Sequence, residues 1–211
     1  MGQRPHLASL EYYHIYNRGT ERRRVFLSNG DYDRFTALLY LSNGTKTVHI
    51  SNHQGSTLMD LLSLDRGESL VDIGAYCLMP NHFHLLLRQR EEDGISRFMQ
   101  KLVTGYTMYF NKKNERSGAL FQGKFKSVHA HDDRYLKYVI SYIHLNPARL
   151  LGEKSSLRAA DFVRYPYSSY LDHLGHERVQ NKIIDKQCLP DYFSNTEALE
   201  QEMQEWLTYE P

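Results

Sequence analysis

Two apolar runs separated by one Pro-Asn pair constrain this chain more than any other feature. Leu70 to Met79 is apolar at most positions, Pro80-Asn81 supplies a tight turn, and His82 to Arg88 returns. The pattern predicts two antiparallel strands, and their apolar character on both faces places them centrally in a sheet. Side chains alternate along a strand, so His82 and His84 share one face while Phe83 points to the other. That spacing suits two imidazoles on one divalent metal ion, with Phe83 buried in the layer behind. Two solvated or hydrogen-bonded histidines give the same H-x-H pattern, and chance produces it readily. A third ligand and a reacting group elsewhere in the chain are needed to choose.

The remaining elements follow from periodicity. Residues 11–17 are aromatic and β-branched and read as a first strand, ended by Arg18-Gly19. Asn29-Gly30-Asp31 starts a helix carrying Phe35, Leu38, Leu39 and Leu41. Residues 42–67 are rich in Ser, Asn, Gly, Thr and His and read as a long surface excursion with room for a short helix. Gly94 to Asn111 repeats apolar residues at three-and-four spacing, the mark of a helix packed on a sheet. Gln122 to Ala130 reads as a fourth strand. A helix over 132–146 follows, capped by Asp132 or Asp133 and stopped by Pro147. Beyond Leu151 the pattern loosens. Tyr165 to Tyr170 turns into a short helix reaching about Leu174, and an amphipathic helix spans 196–207.

This order predicts an α+β fold, a ferredoxin-like split βαβ sandwich around a central antiparallel sheet. The first and third strands are its central pair. Residues 1–151, including the added helix 132–146, form the main domain, and 152–211 form a C-terminal helical appendage.

Net charge over 211 residues is only +1, so no global basicity points to nucleic acid. Charge is nevertheless concentrated locally. Arg18 to Arg24 holds four Arg against one Glu. Lys101 to Lys126 holds six Lys or Arg against Glu115, a local charge of +5, and Phe121 and Phe125 interleave with Lys124 and Lys126. Cations for phosphates beside rings for bases are what a single-stranded nucleic acid groove uses; a solvated loop is the plainer alternative. Cys77 and Cys188 lie far apart and read as free thiols of a reducing compartment. No apolar run approaches the roughly 20 residues of a membrane span, and the polar residues 1–6 lack a signal-peptide core. A cytoplasmic location is expected.

On the helix over 132–146, Tyr135, Tyr138, Tyr142 and Asn146 form a stripe beside the apolar one of Leu136, Val139, Ile140 and Ile143. Tyr142 and Asn146, at i and i+4, reach one point beside the helix. His144 lies on another side and is expected at the surface or behind the site. His129 and His131 form a second H-x-H pair in polar surroundings.

Met79-Pro80-Asn81-His82-Phe83-His84-Leu85-Leu86 resembles the His-hydrophobic-His (HUH) motif of the single-tyrosine transposases. Phe121 to Ser127 (FQGKFKS) and Tyr142 to Arg149 (YIHLNPAR) resemble two further signatures of that group. Their combination, covering roughly residues 11–175, is most similar to the branch of REP-associated tyrosine transposases. The resemblance implies a nuclease and strand transferase acting on single-stranded or hairpin DNA. It implies Mg²⁺ or Mn²⁺ on His82 and His84, Tyr142 as nucleophile forming a 5′-phosphotyrosine, and Asn146 as third ligand. Insertion-sequence relatives place Gln at that last position, whereas the REP-associated branch shares Asn. Arg18, Lys112, Lys113, Arg116, Lys124 and Lys126 are expected to hold the DNA backbone, in a monomer or homodimer. The excursion at 42–67 has no counterpart in the motifs and is expected to be inert. Two competing functions remain: a non-catalytic ferredoxin-like nucleic-acid-binding module, and a domesticated hairpin binder that no longer cuts.

Overall fold

The computed structural model describes residues 7–153, 156–192 and 195–208; the polar stretch 1–6 lies outside them. β2 (Val71–Met79) and β3 (His82–Gln89) pair antiparallel through the Pro80-Asn81 turn, from Met79↔His82 to Val71↔Gln89. β1 (Tyr12–Arg18) lies on the other side of β3, and β4 (Lys126–His129) pairs outside β1. The sheet order is β2-β3-β1-β4, with every neighbouring pair antiparallel, so β1 and β3 are the central strands as expected. β4 is shorter than the predicted Gln122 to Ala130. Phe121 bridges Gly19, the Gln122 N–H donates to the Arg18 carbonyl, and Gly123 adopts a positive φ of 64°. The chain therefore turns at 121–125 before it can join the ladder.

The two faces of the sheet carry different layers. α1 (Asn29–Leu41) and α3 (Gly94–Lys113) cover the face bearing Phe83, which touches the rings of Phe35 and Phe121 at centroid distances of 5.2 and 5.5 Å. α1 begins at a capping box in which the Asp31 carboxylate accepts the backbone N–H groups of Leu27 and Ser28. α4 (Asp133–Leu145) lies on the opposite face, packing Leu136, Val139, Ile140 and Ile143 against Ala75, Cys77 and Leu86. The short α2 (Leu58–Leu61) sits in the excursion 42–67. That excursion closes on itself through Lys46 N–H to the Arg66 carbonyl and Thr45 N–H to the Glu68 carbonyl. It enters the sheet at Val71, opposite Gln89 and seven residues along β3 from His82, about 20 Å away.

The C-terminal residues cover the outer edge of β2. Cys77 bridges Ser168, the Leu78 N–H donates to the Tyr167 carbonyl, and the Asp185 N–H donates to that of Ile73. Arg178 clamps this segment, donating to buried Asp172, the Pro166 and Ser168 carbonyls and the Tyr76 hydroxyl. Backbone groups of an otherwise open edge are thereby satisfied. After α5 (Ala148–Leu151) and α6 (Tyr170–His173), α7 (Thr196–Thr208) packs Leu199, Met203 and Leu207 into a small core with Phe162 and Tyr170, and lies against α4. Of the two positions expected for His144, the surface or behind the site, the surface one does not hold. His144 is fully buried beneath this segment, with Nε2 2.9 Å from Ser169 Oγ and its ring 4.9 Å from that of His173. Among the described residues no helix is long and apolar enough to cross a membrane.

Candidate active site

Register brings the site together. Arg18 stands opposite His82 and Tyr16 opposite His84, and alternation puts His14 on the same face of β1. Lys126 of β4 stands opposite Tyr16 and shares that face too. α4 crosses above it and lowers Tyr142 onto the imidazoles. The Tyr142 ring meets His84 edge-on at 5.5 Å between centroids and His14 at 5.7 Å, and the residue is 38 % exposed.

Asn146 caps the end of α4. Its Nδ2 donates to the Tyr142 carbonyl at 2.8 Å, and its side chain lies near enough to His82 to affect its protonation. Tyr142 and Asn146 of the α4 segment thus converge with His82 and His84 of β3 within one chain.

His14 was not anticipated. Its Nε2 lies 2.8 Å from His84 Nδ1, and the two rings stack at 5.0 Å. The signal was present: His14, Tyr16 and Arg18 alternate along a strand expected beside the His82 strand.

Burial governs the protonation of this cluster. It pushes His14 down to about 4 and, with help from His14, His82 and Arg18, His84 down to about 2. His82 is lowered by burial and Arg18, against an opposing influence of the Asn146 side chain. The imidazoles are therefore neutral at pH 7. Burial, then Tyr138 and Tyr16, raises the Tyr142 phenol, while Arg18 pulls it down.

Comparison with known proteins fits this geometry. The model of the family described as "Transposase IS200 like" matches residues 8–146, two thirds of the chain. The chain belongs to the IS200-like transposase family. No protein of curated function matches it. Among solved structures, one described as the REP-associated tyrosine transposase bound to a REP hairpin is similar in fold, with a TM-score of 0.54 and 12 % identity. The match covers 85 % of this chain and 89 % of that one.

The cations expected to hold DNA divide into two groups in this transposase. Arg18 and Lys126 flank the site face, and Lys124 lies in the 121–125 turn tied to the end of β1. Lys112, Lys113 and Arg116 lie at the end of α3, behind the other face. Lys113 is held there by fully buried Asp31 at 2.6 Å, and Arg116 by the Asn111 side chain and the Ala119 carbonyl. The charge of Lys113 balances a buried carboxylate, which removes it from the group of open cations. The second H-x-H pair is also occupied: His129 contacts Glu11 at 2.9 Å and His131 contacts Asp132 at 3.0 Å.

The donor set fits a divalent ion. The Asn81 amide oxygen lies 2.6 Å from His82 Nδ1 and can only accept, so that nitrogen carries the proton and Nε2 keeps its lone pair. When His84 Nδ1 likewise donates to His14, its Nε2 is left as a lone pair. A metal-binding histidine is commonly fixed by such a bond from its other nitrogen. The set of two imidazoles and the Asn146 amide has no carboxylate. Among the described residues no three His, Cys, Asp or Glu side chains are grouped to hold a metal. An anionic oxygen of a DNA phosphate is the natural complement to a neutral set of this kind.

Proposed function

We propose that this protein is a metal-dependent endonuclease and strand transferase of single-stranded DNA, acting at hairpin-bearing sites through a 5′-phosphotyrosine. The observation that carries the reading is the Tyr142 ring over His84, with Asn146 one turn along the same helix against His82. The structurally similar transposase bound to a hairpin supports the choice of substrate.

In this mechanism the Tyr142 oxygen attacks the scissile phosphorus. The bond to the 3′-oxygen breaks, leaving a free 3′-hydroxyl and the 5′-phosphate esterified to Tyr142. Mg²⁺ or Mn²⁺ on His82, His84 and Asn146 would polarise the phosphate and offset the charge growing on its oxygens. Arg18, opposite His82, holds the same phosphate and offsets part of the rise that burial imposes on the phenol. His14 orients His84. The ester conserves the phosphodiester bond energy, so a second 3′-hydroxyl can reverse the step without ATP. The buried thiols Cys77 and Cys188 accord with a reducing, cytoplasmic setting.

The test is incubation of the purified chain with a hairpin oligonucleotide carrying a single-stranded extension, in Mn²⁺, followed by a denaturing gel. A slow-migrating protein–DNA adduct is expected, absent with EDTA and absent for His84→Ala. Tight binding with no adduct under any metal would instead support the binding-module or domesticated reading.

A further inference from the structure

The chemistry above uses one tyrosine of a longer aromatic row. Tyr138 and Tyr135 continue from Tyr142 toward the start of α4, with centroid spacings of 5.8 and 5.9 Å. His131 stacks on Tyr135 at 5.9 Å, and Trp206 of α7 meets Tyr138 at 4.7 Å. Asp132, Arg134, Tyr135, Tyr138 and Trp206 line an open groove of about 320 Å³ at the far end of this row.

These rings are placed unlike the aromatic core. Tyr106 and Tyr165 are buried, and their hydroxyls donate to the Val25 and Leu78 carbonyls. Tyr135 and Tyr138 are only partly covered, and their hydroxyls have no hydrogen-bond partner among the described residues. Asp132 is engaged as the helix cap, accepting the Tyr135 N–H at 2.7 Å. Arg134 is exposed and has no carboxylate partner among the described residues. The groove thus pairs flat apolar walls with an open guanidinium, the two parts of a nucleotide site: stacking for the base and a cation for its phosphate.

We propose that this groove seats a nucleobase of the single strand next to the phosphate attacked by Tyr142. The base lies on Tyr138, Tyr135 and Trp206, and Arg134 holds its phosphate. The inference rests on the nucleophile reading above. Helical rise puts Tyr135 about 10 Å along the axis from Tyr142, no more than about three stacked nucleotides. A duplex offers its base edges and phosphates but not its base faces, so the seat selects unpaired DNA.

Trp206 is the only tryptophan in the chain, so its fluorescence reports on the groove alone. The full chain is titrated, without divalent metal, with a hairpin oligonucleotide bearing a single-stranded extension and with the same hairpin blunt-ended. The extension is expected to quench Trp206, and the blunt hairpin is not. Tyr138→Leu should weaken binding of the extended hairpin about ten-fold or more and leave the blunt one unchanged, while Tyr138→Phe restores affinity. Arg134→Gln, on an exposed side chain, should weaken the same ligand and lower its salt slope by about one. It also keeps the test available should the Leu variant fold poorly. Absence of quenching, or equal losses for both oligonucleotides, would overturn the seat. An adduct on Tyr142 with unchanged affinity in Tyr138→Leu would reject the seat and keep the chemistry. Extension-dependent quenching with no adduct would keep the base site and reject the nucleophile reading.

Discussion

His14 and His84 are diagonal neighbours across β1 and β3, with Nε2 and Nδ1 2.8 Å apart and both side chains nearly excluded from solvent. A bond between two neutral imidazoles needs one donor and one acceptor, so the tautomers of the two rings are coupled. With His14 as acceptor, His84 Nε2 keeps its lone pair. His14→Phe keeps a ring and removes the acceptor. Mn²⁺ affinity, read by electron paramagnetic resonance, should fall by about 10- to 100-fold. Metal-free binding of single-stranded DNA should be unchanged. Equal Mn²⁺ affinity in the two proteins would mean that His14 only packs.

The division of the cations predicts opposite phenotypes for neighbouring lysines. Reversing Lys124 and Lys126 to Glu should weaken DNA binding and flatten its dependence on salt, since each lost phosphate contact removes about 0.7 to 0.9 from the slope. Lys113→Ala should leave that slope alone and lower the melting temperature, because it strands buried Asp31. Titrations at several salt concentrations, beside thermal melts, separate the two.

Asp31 also gives the fold a pH dependence. Burial opposes its ionisation, but Lys113, the Leu27 N–H and the Tyr109 hydroxyl outweigh burial and hold its carboxyl below the usual value. A carboxyl lowered in the folded state stabilises the protein above its unfolded pKa of about 3.9, and that stability is lost as pH falls through the folded value. Asp31→Ala should cost about 3 kcal/mol at pH 7, and the variant should lose less stability on acidification below about pH 4 than the parent. Urea denaturation at pH 7 and pH 3.5 measures both. Parallel losses in the two proteins would place the acid-sensitive group elsewhere.

Legibility in the sequence followed the reach of each interaction. The β2–β3 hairpin, the central pairing of β1 with β3, and the convergence of Tyr142 and Asn146 are set by alternation and by helical spacing, which one chain displays directly. His14 was equally readable in spacing, but its significance depends on register with His84, a relation between strands about 70 residues apart. Burial of His144 and coverage of the β2 edge rest on isolated contacts from residues 165–185, a stretch with no repeating pattern. The end of α3 is basic in composition, yet Lys113 answers a carboxylate 82 residues away, which composition does not reveal.

The central claim is that Tyr142 forms the covalent bond to DNA. The most direct measurement is tandem mass spectrometry of the peptide carrying the nucleotide trapped after reaction with an extended hairpin oligonucleotide and Mn²⁺. Tyr142→Phe removes one oxygen, so folding and near-native DNA affinity should persist while cleavage and adduct disappear. The parent should carry its nucleotide on Tyr142 alone, and Tyr138→Phe should still carry it there. A nucleotide on Tyr138, Tyr135 or Tyr16, or an undiminished adduct in Tyr142→Phe, would contradict the account.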